Sequence, residues 1–113
     1  MTIKNIDNSE HYIWGENCDG WHLLKSDSLS VIQEKMPPGT KESLHFHSKA
    51  QQFFYILKGT ATFEIDTQLY VVVENSGFHI QAGQKHRIFN RTNQDLEFLV
   101  ISQPKSHGDR INL

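Results

Sequence analysis

The stretch "SLHFHSKAQQFFYILKG", residues 43–59, carries the decisive pattern of the chain. Two histidines stand one residue apart, two glutamines follow, and an aromatic and aliphatic run closes on a glycine. On a β-strand, residues i and i+2 point to the same face, about 7 Å apart along the chain. His45 and His47 therefore face the same way, and two imidazoles so placed can share one metal ion. "SKAQ" (48–51) reads as a turn, and Gln52 opens the next strand. Its amide oxygen offers a third donor, weaker than a carboxylate. An isolated HxH in a strand commonly lines an ordinary core or surface face. Two features favour ligation here. The neighbouring strands are apolar, so buried imidazoles need partners, and a third histidine recurs in a matching context.

That context is "NSGFHIQAGQKHRIFN" (75–90), which reads as strand, tight turn, strand. Gly83 can supply the positive φ of the turn. His86 shares a face with Ile88 and Asn90 by the period-two rule. His79, between Phe78 and Ile80, is read as a packing or supporting residue rather than a ligand. With Phe54, Ile56, Ile88 and Asn90 it forms the expected lining around the histidines. His11, His22 and His107 lie near chain ends or turns and are read as solvated or structural.

Outward from these two stretches, short runs rich in Val, Ile, Thr, Phe and Tyr recur about every ten residues, divided by turn residues. They fall at 21–26, 29–36, 42–48, 52–59, 60–66, 68–74, 77–82, 85–91 and 96–103. The best helical candidate, "SVIQEKM" (30–36), is cut off at once by Pro37, Pro38 and Gly39. So many short strands predict an all-β sandwich or barrel, and a barrel leaves no free edges. The 113 residues suit a single domain, 1–113, with an N-terminal arm over about 1–20. Within that arm "WGENCDGW" (14–21) reads as a plug for one barrel end, the alternative being a cover for the mouth or a partner contact.

A net charge of −2 argues against nucleic acid as the partner, since phosphate binding needs a basic face. No apolar run approaches the roughly 20 residues that cross a bilayer. The first residues lack the basic and apolar blocks of a secretory signal. The lone Cys18 cannot form an internal disulfide. These features together point to the cytoplasm. Cys18 as a nucleophile lacks a base that can be placed beside it.

The two stretches together resemble the small, single-domain cupins. Gly39, His45, His47, Gln52 and Gly59 follow the order of the first cupin motif, and Gly83, His86 and Asn90 that of the second. The motifs span residues 39–90. The resemblance implies an antiparallel jelly-roll, or double-stranded β-helix, barrel. It implies metal positions at His45, His47, Gln52 and His86, holding one divalent transition metal (iron, manganese, nickel or zinc). It further implies a homodimer, and a small oxygenated molecule, anionic or neutral, in the barrel. That molecule would be a substrate for dioxygenase, isomerase or cyclase chemistry, or else a ligand of a non-catalytic sensor or carrier. The sequence departs from the family at Gln81, where proline is usual, at Asn75 in place of a glycine, and at Gln52, where most metal-binding cupins carry glutamate. With glutamine the donor set is neutral and the ion keeps its +2 charge. Anionic ligands then bind more strongly and the metal itself less so. Gln52 cannot serve as a base, so a proton must be moved by His79, Glu42, a bound hydroxide or the substrate.

Overall fold

The computed structural model describes residues 2–113. After a short 3-10 turn at Ile6–Asn8, the chain runs through eleven strands. These are β1 (Glu10–Trp14), β2 (Cys18–Lys25), β3 (Ser30–Met36), β4 (His45–His47), β5 (Gln51–Lys58) and β6 (Ala61–Ile65), followed by β7 (Gln68–Val72), β8 (Gly77–Ile80), β9 (His86–Phe89), β10 (Leu96–Gln103) and β11 (Arg110–Asn112). They form two antiparallel sheets, one ordered β1-β2-β3-β10-β5-β8 and the other β11-β4-β9-β6-β7. This is the jelly-roll arrangement expected from the sequence. The segment 30–36 is a strand, as the Pro-Pro-Gly that follows requires.

Alternation builds the core. In β10 the residues Leu96, Phe98, Val100 and Ser102 are buried while their neighbours are not. β5 behaves likewise, with Gln52, Phe54 and Ile56 buried. Register then stacks these residues into rows across the first sheet. Ser30, Ser102 and Gln52 share one row. Ile32, Val100 and Phe54 share the next, and Glu34, Phe98 and Ile56 the one after. Each row lies about 7 Å further along the strands.

The stretch expected to be an N-terminal arm, about 1–20, contributes strand residues 10–14 and 18–20 to the first sheet. Residues 10–14 are β1, paired residue for residue with β2 from Trp14↔Cys18 to Glu10↔His22. The reason is local. Gly15 and Asn17 take positive φ of 52° and 61°, which closes a hairpin. Cys18 is fully buried in the core and Trp14 packs against it. Burial raises the Cys18 thiol above its ordinary pKa, which suits an inert core residue.

The exposed C-terminal residues also join a sheet. β11 pairs with β4 in the register Arg110↔His47 and Asn112↔His45. The Asp109 carboxylate accepts from the backbone N–H groups of Lys49 and Ala50, and Arg110 turns to Glu42.

Candidate metal centre and its cavity

His45 and His47 occupy both inward positions of the three-residue strand β4, and both are buried. β9 lies beside them, with His86 directly opposite His45. The turn between β8 and β9 places it there. Gly83 has φ +85°, and its N–H donates to the His47 carbonyl at 2.7 Å. The ring centroids of His45 and His86 are 4.3 Å apart, and a ligand atom from each of the three histidines falls within 4.8 Å of the others.

The protonation pattern leaves this cluster short of hydrogen bonds. His45 Nδ1 donates to the Ser43 carbonyl and His86 Nδ1 to the Gln84 carbonyl, each at 2.8 Å. A neutral imidazole carries one proton, so both Nε2 atoms are bare acceptors. Burial, with the neighbouring His86 adding to it, holds His45 down at about 3 and His47 at about 4. Burial lowers His86 as well, so all three are neutral near pH 7. His47 Nδ1 is buried without a hydrogen-bond partner among the described residues.

Gln52 enters from β5. Its Nε2 donates to Ser102 Oγ at 3.2 Å, and its Oε1 lies 3.2 Å from His86 Nε2. Both atoms of that second contact are acceptors when His86 is neutral. Two lone pairs facing each other across such a gap suit a cation between them. The opposite amide orientation removes the conflict without a cation, because Nε2 would then donate to His86 and Ser102 would donate to Oε1. Three neutral imidazoles and one amide oxygen form an N/O donor set suited to a borderline divalent ion.

The cluster opens on a cavity of about 320 Å³. Trp14, Ile32, Phe54 and Val100 supply its apolar wall. Further in the same cavity are Tyr12, Glu34, Glu42 and Arg110, of which the sequence reading singled out only Glu42. Tyr12 OH donates to Glu34 Oε2 at 2.9 Å. Arg110 Nη1 donates to Glu42 Oε2 at 3.3 Å. Burial, then the charge of Glu42, pushes Glu34 up to about 8. Burial pushes Glu42 up to about 7, with Arg110 opposing. Burial and the Glu34 charge raise the Tyr12 phenol further still.

The expected lining residues divide. Phe54 is on the cavity wall. Ile56 and Ile88 are buried in the core away from it. Asn90 is a buried bracket, with Nδ2 donating to the carbonyls of Met36 and Gln94 and Oδ1 accepting from Thr92. His79 is exposed on the outer face of the first sheet, opposite Phe53, and hydrogen-bonds Gln51 Oε1 at 2.9 Å. It neither supports the cluster nor can move a proton there, because Ile80 rather than His79 faces inward beside Gln52. His22 and His107 are structural in part. They meet edge to face at 5.0 Å beside the Tyr12 ring, and His107 also reaches the cavity.

The model of the cupin domain family matches residues 32–102, well over half of the chain. The chain belongs to the cupin family. An uncharacterised protein of Methanocaldococcus jannaschii is 29% identical over 89 residues, 78% of this cupin and 71% of the relative. An oxalate-binding protein of Thermotoga maritima is also 29% identical, over 85 residues, 71% of this cupin and 70% of that protein. The polyketide cyclase RemF of Streptomyces resistomycificus superposes with a TM-score of 0.86 over all of this cupin and 85% of RemF, at 16% identity, which speaks to the fold alone.

Proposed function

We propose that this cupin is a metal-dependent enzyme acting on a small, oxygenated, anionic molecule bound in the barrel. The observation that carries the reading is the set of bare, buried acceptors on His45, His86 and Gln52, with His47 beside them. Iron, manganese, nickel or zinc all fit these donors. A divalent ion there would act as a Lewis acid and template for the ligand's oxygens. The protein's own residues do the rest. The Nδ1 hydrogen bonds to Ser43 and Gln84 fix which imidazole nitrogen faces the site. Trp14, Ile32 and Phe54 give the site an apolar wall. Glu34, whose carboxyl is pushed up to about 8, is suited to give or take a proton at neutral pH. That pairing of a metal-type site with a proton-handling carboxyl favours catalysis of the dioxygenase, isomerase or cyclase type.

The relative named as an oxalate-binding protein supports a second reading, a carrier or sensor that holds its ligand unchanged. Cobalt(II) titration followed by visible absorption tests the shared part of both readings. Saturation at one equivalent, with nitrogen-donor bands lost in a His47→Ala variant, is the expected result. Absence of any protein-bound cobalt spectrum overturns both. Recovery of a bound oxalate probe intact after incubation with metal-loaded protein is the outcome that separates carrier from enzyme.

The same proposal includes a homodimer in the cytoplasm. The outer face of the first sheet leaves Leu24, Phe53 and Leu57 exposed, and register sets Val31, Ile101 and Phe53 side by side between them. A second copy laid on this face buries an apolar patch that a lone protomer leaves in water. The buried, reduced Cys18 is compatible with a reducing compartment.

A further inference from the structure

The cavity has two chemically different ends. One row of the first sheet brings Gln52 to the three histidines, and the next, Ile32, Val100 and Phe54, is apolar. Glu34 stands one row beyond that, still on the cavity wall. Glu42, held by Arg110, lines the same cavity between the two ends, with its Oε1 3.8 Å from His45 Nδ1. A ligand that engages both ends must therefore carry polar groups at two places, with an apolar middle between them.

The far end offers polar carboxyl oxygens that no partner among the described residues satisfies. Tyr12 occupies one oxygen of Glu34, and no donor among the described residues reaches the other. Glu42 Oε1 is buried and unpartnered. Arg110 also lines the cavity, and three of its five N–H groups serve Asn112, Glu42 and the Ser43 carbonyl. A buried polar group left unpaired is costly, so a ligand hydroxyl is rewarded here and an apolar group is not.

Resting on the metal-site reading above, we propose that this cupin selects a hydroxylated small acid. Its anionic, chelating oxygens lie at the His45, His47, Gln52 and His86 end, and a hydroxyl at its other end meets Glu34. The hydroxyl hydrogen-bonds the free Glu34 oxygen, while the body of the molecule lies against Phe54 and Trp14. A bare dicarboxylate such as oxalate satisfies only the metal end.

Three α-hydroxy acids test this on zinc-loaded protein, with Trp14 fluorescence and calorimetry as readouts: mandelate, 4-methylmandelate and 4-hydroxymandelate. The last two have nearly the same shape and differ in the donor. The hydroxyl compound is expected to bind about tenfold more tightly than the methyl one, the worth of one well-made hydrogen bond. A simple apolar pocket gives the opposite order. In a Glu34→Leu variant the order is expected to reverse. If that variant does not fold, the comparison on the native protein still decides. Equal affinities, or tighter binding of the methyl compound, overturn the ligand assignment and leave the metal reading standing. Zinc retained with none of the three acids bound also overturns the assignment. Failure of the protein to hold zinc at all overturns the metal reading, and this inference with it.

Discussion

With its proton fixed on Nδ1, His86 turns a bare Nε2 toward the Gln52 oxygen across 3.2 Å. If a cation resolves that contact, Gln52→Glu should tighten metal binding by an order of magnitude or more, since an anion replaces a dipole in the donor set. Competition against a fluorescent chelator measures it. Unchanged affinity would show that residue 52 lies outside the coordination sphere and that the amide instead donates to His86. Glu34 yields a second test at this scale. Its native pKa of about 8 lies above the ordinary carboxyl value of 4.5, so the folded state holds the proton more tightly. The stability this contributes is complete below pH 4.5 and is lost as pH rises through about 8. Glu34→Gln carries no charge to bury. Its melting temperature relative to the native protein is therefore expected to climb by a few degrees between pH 4.5 and 8.5. A pH-independent difference would contradict the assignment. His45, His47 and Gln52 were legible in the sequence because they lie within eight residues of one another around one turn, and His86 because it stands beside the turn of a second hairpin. Glu34 and Tyr12 were not, because the fact that joins them is the register Tyr12↔Gly20↔Glu34 across three strands.

At the scale of elements, that register depends on a glycine. A Cβ on Gly20 would collide with the Tyr12 ring, so the ring can lie across β2 and reach Glu34 only over hydrogen. Gly20→Ala is expected to lower stability by about 1–3 kcal/mol, the range for overpacking a filled site, and to displace Tyr12 from Glu34. Urea denaturation and the Tyr12 ring shifts in NMR spectra would show both effects. A neutral substitution would mean the ring is held elsewhere. The β6–β7 hairpin carries the opposite kind of defect. Asp66 and Thr67 both take positive φ, 47° and 72°, in its two-residue turn. A β-branched residue is poorly suited to that conformation. Thr67→Gly is expected to stabilise the protein by about 0.5–1 kcal/mol in the same assay, and any loss would count against the turn as described. Strand existence was readable from period two and from glycine and proline punctuation. Strand facing was less so. His79 was misplaced because alternation alone does not say which of two neighbours, His79 or Ile80, looks inward. The pairing of Gln52 with Ile80 does.

Across the whole molecule, two sheets converge a site from strands that are far apart in sequence. β1 brings Tyr12, β3 Glu34, β5 Gln52, β9 His86 and β11 Arg110. The cupin motifs mark the metal end because its residues sit in two local hairpins. The acid end depends on the N-terminal hairpin and the C-terminal strand, both outside the matched residues 32–102, and no local pattern announces either. The proposed homodimer belongs to this scale. Sedimentation velocity is expected to give twice the 13.1 kDa protomer mass, falling to one protomer in a Leu24→Lys, Leu57→Lys variant. A monomeric native protein would remove the dimer from the proposal. The central claim is that the buried histidines and Gln52 hold a divalent metal. Its most direct test is elemental analysis of protein purified without an affinity tag, beside a His45→Ala, His86→Ala double variant. About one equivalent of a transition metal in the first and none in the second is the expected result. No metal in either, even after reconstitution with iron, manganese, nickel and zinc in turn, would contradict it.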